Sequence, residues 1–133
     1  MRLDFRSGLV LAAFSVLVCG ITNHASSQND LLVAAPNKNS VERFDAFTGE
    51  YLGSFVTAGA GGLANPGAVA VGPDGNVYVT SSQRVLRYDG STGDFLDVFA
   101  SGSGLVAANN LQLFGYHMYV GQFAGGSNGV IKR

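Results

Sequence analysis

Two stretches of this chain spell the same pattern 44 residues apart. Val41-Glu42-Arg43-Phe44-Asp45-Ala46-Phe47-Thr48-Gly49 and Val85-Leu86-Arg87-Tyr88-Asp89-Gly90-Ser91-Thr92-Gly93 agree at Val, Arg, an aromatic residue, Asp, Thr and Gly. Phe55 and Phe99 continue the match at the same offset, and Gly59 to Leu63 corresponds loosely to Gly102 to Leu105. A fixed period of this length marks stacked supersecondary units, each with an apolar face that only a neighbour can cover.

A second set of matches runs through Leu31-Leu32-Val33-Ala34-Ala35, Val77-Tyr78-Val79-Thr80-Ser81 and Met118-Tyr119-Val120-Gly121-Gln122, with spacing that drifts as loops allow. The third copy ends in Val130-Ile131-Lys132-Arg133, which reads as the opening of another Val-x-Arg-aromatic-Asp strand. Alternating side chains and turn residues predict four strands in the complete copy: Ala68 to Val71, Val77 to Ser81, Val85 to Asp89 and Phe95 to Phe99. In Gly72-Pro73-Asp74-Gly75, proline presets the first turn position and Gly75 supplies a left-handed residue, which closes a hairpin. Asp45 to Gly49 and Asp89 to Gly93 close the next hairpin of each copy, with Asp accepting from a turn amide and Gly in the left-handed position. Those aspartates are therefore structural. Beyond the first segment, no stretch shows capped helical periodicity, and Gly recurs too often for a long helix.

Leu-x-x-Pro at Leu63 to Pro66, Gly-Pro-Asp-Gly-Asn-Val-Tyr-Val at Gly72 to Val79, and Val-x-Arg-Tyr-Asp with Thr-Gly at Val85 to Gly93 together resemble NHL-type β-propeller blades. They are similar in particular to the blades of secreted bacterial proteins grouped with streptogramin lyases. The resemblance implies an all-β fold: a partial β-propeller of four-stranded antiparallel blades preceded by a signal helix. On that reading residues 1–27 are the signal, 28–65 a partial blade, 66–108 a complete blade and 109–133 a second partial blade. It implies little about activity, because one propeller scaffold carries enzymes, sensors and adhesive modules alike.

The first segment differs in kind from the repeats. Arg2 and Arg6 precede an apolar run from Leu9 to Ile21, broken only by Ser15 and Gly20, and small or polar residues follow at Thr22, Ala25, Ser26 and Ser27. The run is shorter than the roughly 20 residues a bilayer span needs and has the three-part form of a secretory signal. Cleavage is expected near Ala25 to Ser27, with an uncleaved membrane anchor as the alternative. Cys19, the only cysteine, lies inside this run, so the exported portion has neither thiol nor disulfide and must be held by packing. Val16-Leu17-Val18-Cys19-Gly20 also resembles a lipobox, although Val18 stands where that motif takes Gly, Ala or Ser, which leaves a lipoprotein as a minor alternative.

After the first 27 residues the chain carries six basic and eight acidic side chains, near −2 in net charge, with neither sign clustered. That pattern excludes the electrostatic footprint of a nucleic-acid or anionic-membrane binder. The location expected is secreted, periplasmic or cell-envelope, and the partner an extracellular or envelope ligand.

No catalytic, cofactor or metal residue can be assigned from the motifs. A streptogramin-lyase-like enzyme would need a catalytic histidine, an acidic partner and a divalent metal on the propeller face, and beyond the signal only His117 is available. Tyr116 and His117 are the candidates for a ligand-facing pair, while Tyr116-His117-Met118-Tyr119 also reads as an ordinary strand start beside a turn. A gluconolactonase-like site would need metal ligands from more blades than this length supplies. Gly59-x-Gly61-x-x-Ala64 matches a dinucleotide fingerprint, but Pro66 and the strand after it forbid the phosphate-binding helix, so the segment is read as a connecting loop. Asp89, Ser91 and Asp94 lack the spacing and distal Glu of a calcium loop. Arg43 and Arg87 are expected to pair with neighbouring loop acids.

Propellers close with roughly four to eight blades, about 170 residues or more at this period, against 106 after the signal. Open blades would expose apolar faces and strand edges. Oligomers could complete a ring, yet the first copy offers its second to fourth strands and the last its first to third, so the remnants overlap. A fragment or truncated relative of a longer propeller is therefore expected. Three functions follow: a binding or scaffold module, part of a metal-dependent lyase or lactonase, or a truncated chain without independent function.

Overall fold

A computed structural model describes residues 30–102, 104–105, 107–122 and 129–132, the last four as backbone. The proposed signal segment, with Cys19, lies outside the described residues. The described chain is all-β and antiparallel, and it contains no α-helix. Strands β1 (Asp30–Ala35), β2 (Ser40–Asp45) and β3 (Tyr51–Val56) form a first sheet in chain order. Strands β4 (Pro66–Val71), β5 (Val77–Ser81), β6 (Arg84–Tyr88) and β7 (Phe95–Ser101) form a four-stranded second sheet, also in chain order. Strands β8 (Ala108–Phe114), β9 (His117–Gln122) and β10 (Gly129–Lys132) form a third. No closed ring is formed among the described residues.

The strands fall where the alternation and turn residues place them, with small shifts of physical origin. β4 begins two residues early, at Pro66, because the Thr80 hydroxyl accepts from the Gly67 and Ala68 amides across a register break between Pro66 and Val69. β6 ends at Tyr88, one residue short of the expected Asp89, whose amide donates to the Asp94 carbonyl in the turn that follows. The drift in the second set of matches has a similar cause. Leu31 pairs with Phe44 and Val77 with Tyr88, so these two are equivalent at an offset of 46 instead of 44; the Pro36–Lys38 turn of 3-10 helix supplies the extra residues before β2.

The turns follow the expected chemistry. Gly75 has φ +79 and its amide donates to the Gly72 carbonyl, closing β4 onto β5. Asp45 Oδ1 accepts from the Phe47 and Thr48 amides at 2.8 and 2.7 Å, and Asp89 Oδ1 from those of Ser91 and Thr92 at 2.8 and 2.9 Å. Gly49 and Gly93 both take the left-handed conformation, at φ +74 and +78.

Two apolar cores lie between the sheets, and they are built from equivalent residues. Between the first and second sheets, Val41, Phe55, Val56 and partly buried Leu32 meet Val77, Val79, Leu86 and Tyr88, with Leu63 from the connecting loop. Between the second and third sheets, Val85, Phe99, Ala100 and Tyr78 meet Leu111, Met118 and Val120, with Leu105 from the next loop. Val41, Phe55 and Val56 stand 44 residues before Val85, Phe99 and Ala100, so one packing arrangement is used twice, head to tail. The approach is close at the paired first strands: a methyl group on Gly67 of β4 would lie 2.7 Å from Asn109 Cα of β8.

Candidate functional site

A concavity opens where the second and third sheets meet, at the end carrying the β4–β5 and β8–β9 hairpins. It has a volume of about 390 Å³. Pro73 and Asp74 come from the first hairpin, Tyr78, Arg87 and Phe99 from β5, β6 and β7, and Leu113, Tyr116 and Met118 from the third sheet. The positions follow from the pleat: Tyr78 points to the opposite face from Val77 and Val79, which are in the first core, and so reaches the third sheet. Its ring meets Phe99 edge-on, with centroids 4.8 Å apart at 83°.

One polar network forms the wall. Asp74 Oδ2 accepts from the Tyr78 hydroxyl at 2.9 Å and from Asn76 Nδ2 at 2.7 Å, and Asp74 Oδ1 accepts from the Asn76 amide at 3.2 Å. Arg87 donates from Nη2 and Nε to the two Asp97 oxygens at 2.6 and 3.2 Å, and its Nη1 lies 3.8 Å from Asp74 Oδ2. Arg87 and Asp97 face each other in the β6–β7 register, which fixes the bidentate fork. Burial raises the Asp74 carboxyl, but the hydrogen bonds from Asn76 and Tyr78 outweigh it and hold the group below its ordinary value. Burial first, and then the Asp74 carboxylate, push the Tyr78 phenol up. The Asp97 bond, followed by Tyr78, raises Arg87. At neutral pH Asp74 is therefore a carboxylate, Arg87 a guanidinium and Tyr78 a neutral phenol that donates to Asp74.

The two ligand-face candidates separate. Tyr116 lines the cleft and is 85% exposed, whereas His117 begins β9, is exposed, pairs across the hairpin with Phe114 and does not line it. The expectation for the arginines needs correction. Arg87 takes the strand acid Asp97 as its nearest partner, with the turn acid Asp74 second, and Arg43 Nε pairs with Asp30 of β1 at 3.6 Å, an ion pair too long for a hydrogen bond. Sequence reading missed the Asp74–Tyr78–Arg87–Asp97 cluster as a unit. The one legible signal was the recurrence of arginine at Arg43 and Arg87, 44 residues apart, each with an acid as partner.

Gly59 to Ala64 forms a connecting loop with a 3-10 turn at Ala60–Gly62, and no phosphate-binding helix follows. Gly61 passes directly beneath the Phe95 ring, where any side chain would overlap it. Among the described residues, no three His, Cys, Asp or Glu side chains converge as a metal cluster would.

A second polar cluster lies on the first sheet. Glu42 is buried, and its carboxylate accepts from the Ser40 hydroxyl at 2.6 Å, from the Tyr51 hydroxyl and from Ser54 Oγ at 3.2 Å, with Lys38 Nζ at 3.7 Å. The Ser40 and Tyr51 bonds lower its pKa against the opposing effect of burial. Leu86 holds the equivalent position in the second sheet. Three hydroxyls of its own sheet thus satisfy the Glu42 carboxylate, with the Lys38 ammonium of the preceding turn beside it.

No family model matches this chain, and no curated protein matches it.

Proposed function

We propose that this chain is an exported segment of an NHL-like β-propeller that acts as a binding module, with the cleft beside Tyr78 and Tyr116 as its ligand site. The repeated head-to-tail packing of sheets, in which Val41, Phe55 and Val56 do in one core what Val85, Phe99 and Ala100 do in the next, is the observation that supports the propeller reading. A blade-to-blade rotation needs such a repeating, non-self-complementary contact. The N-terminal segment, basic and then apolar, supports export.

The cleft favours ligands of one chemical character. Pro73, Tyr78, Phe99, Leu113, Tyr116 and Met118 give it apolar and aromatic walls, and its charged groups are the Asp74 carboxylate and the Arg87 guanidinium, the latter already engaged by Asp97. A site of this kind orients an apolar body by one convergent polar contact. The ligand class it fits is an aromatic or aliphatic group ending in a cation or hydrogen-bond donor, directed at Asp74.

Phenethylammonium serves as the probe. Titration followed by NMR should shift signals of Tyr78, Arg87 and Met118, and Asp74→Asn and Tyr116→Ala should each weaken the response several-fold. Shifts confined to other surfaces, or a response indifferent to both substitutions, would refute the site.

A further inference from the structure

We infer that Asp97 sets the preference of the cleft for a cation, by holding the Arg87 guanidinium off Asp74 so that the Asp74 carboxylate stays open to a ligand. The inference rests on the binding reading above and names the residue that governs charge selection at that site. Asp74 and Arg87 line the cleft and Asp97 does not, so Asp97 is a positioning residue that acts through Arg87. A guanidinium in contact with Asp74 would take the place of the ligand's own cation, since like charges at one carboxylate repel.

The guanidinium is divided unequally between the two acids. Nη2 and Nε both donate to Asp97, at 2.6 and 3.2 Å, and this fork engages one edge of the planar group. Nη1 lies 3.8 Å from Asp74 Oδ2, about 1 Å beyond hydrogen-bond contact. Among the described residues, Asp74 Oδ2 accepts from the Tyr78 hydroxyl and from Asn76 Nδ2, and Oδ1 accepts from the Asn76 amide. A carboxylate offers about four acceptor positions, so one remains for a donor that enters the cleft. A small turn of Arg87 would fill it.

The first sheet shows what the repeated arginine does where the strand acid is missing. Arg43 faces Gly53 in the β2–β3 register as Arg87 faces Asp97 in the β6–β7 register, and the same register shift follows each arginine. Gly53 offers no carboxylate, so the fork seen at Arg87 has no counterpart there. Among the described residues, the buried Arg43 Nε makes no hydrogen bond, and its ion-pair partner is Asp30 Oδ2 at 3.6 Å, at the start of the first strand. Without an acid on the strand that follows, the arginine turns to the acid on the other side. For Arg87 the acid on that side is Asp74.

Phenethylammonium and its uncharged analogue phenethyl alcohol, titrated by NMR into the wild type, Asp97→Ala, Arg87→Gln and the double variant, test this. Asp97→Ala should weaken the ammonium response about fivefold or more and the alcohol response less than about twofold, and in the Arg87→Gln background it should leave both nearly unchanged. Equal weakening in both backgrounds would mean that Asp97 acts by its own charge, and an equal loss of both probes that the cleft itself is deformed; either overturns the inference, as does an unchanged ammonium response. Asp97→Thr, which also lacks the carboxylate and suits a strand, takes the place of an Asp97→Ala protein that does not fold. Titration of the Asp74 carboxyl carbon without ligand separates the inference from the reading it rests on: the pKa should fall in Asp97→Ala, as Arg87 closes on Asp74, and much less in the Arg87→Gln background. A wild type that ignores both probes refutes the binding site and the selectivity with it, whereas the Asp74 shift would still show Asp97 holding Arg87. Ligand binding with an unmoved Asp74 overturns the inference alone.

Discussion

Asp45 and Asp89 each hold two turn amides, and those bonds keep both carboxyls below their ordinary value: for Asp89 the Thr92 amide contributes most and then that of Ser91, and for Asp45 the Thr48 amide and then that of Phe47. A carboxyl whose folded pKa is depressed contributes stability that is present above its unfolded value, 3.8 here, and is lost as pH falls through the folded pKa. The urea midpoint should therefore drop as pH is lowered through and below 3.8, and the Asp45→Asn/Asp89→Asn double variant should show a shallower acid-side decline, because the amide oxygen still accepts but does not titrate. Tyr88 acts at the other limit. Its hydroxyl donates to the Ala60 carbonyl at 2.9 Å, and burial raises it from 10.0 to about 12. The proton is held more tightly in the folded state, so its stabilisation is complete below pH 10 and is lost as pH rises from 10 to about 12. Tyr88→Phe should flatten the alkaline fall in urea midpoint over that window, at a cost near neutrality of about 1 kcal/mol for the lost hydrogen bond.

Gly49 and Gly93 close equivalent hairpins with nearly the same φ, yet their surroundings differ. A methyl group on Gly49 meets nothing within 4 Å, whereas one on Gly93 would overlap the Phe55 carbonyl of the first sheet. Gly49→Ala should cost only the left-handed strain, about 1 kcal/mol. Gly93→Ala should cost distinctly more, because backbone on the neighbouring sheet must move as well, and the difference is read from paired urea melts. Leu86→Ala should cost about 2 to 5 kcal/mol, as expected for a large buried side chain cut back in a core that cannot collapse around the void. Strands and turns of this kind were legible in advance, since alternation and the residues Pro73, Gly75, Asp89 and Gly93 act locally. The early start of β4 was not legible, because it depends on the Thr80 hydroxyl reaching amides of a strand that is distant in the turn-by-turn pattern.

Across the whole described chain, three sheets are joined by one contact used twice, made by Val41, Phe55 and Val56 in one core and by Val85, Phe99 and Ala100 in the next. Export belongs to the same scale. If residues 1–27 form the proposed signal, the protein recovered from outside the cytoplasm should begin between Ser26 and Gln28, as read by N-terminal sequencing, and intact Met1 on the recovered protein would show retention of the segment. The cleft is also a property of the assembled sheets, since Asp74, Tyr78 and Arg87 come from the second sheet and its first hairpin while Tyr116 and Met118 come from the third.

The amino-acid sequence by itself determined the all-β class, the antiparallel order of neighbouring strands and the chemistry of each tight turn, because side-chain alternation and left-handed glycines are decided within a few residues of chain. Tertiary structure alone decided that Arg87 is shared between Asp97 and Asp74, that Tyr116 and not His117 lines the cleft, and that Glu42, where a leucine stands in the next copy, is satisfied by three hydroxyls. Such pairings depend on which strands face each other across sheets and on small register shifts, and a one-dimensional repeat does not encode those distances.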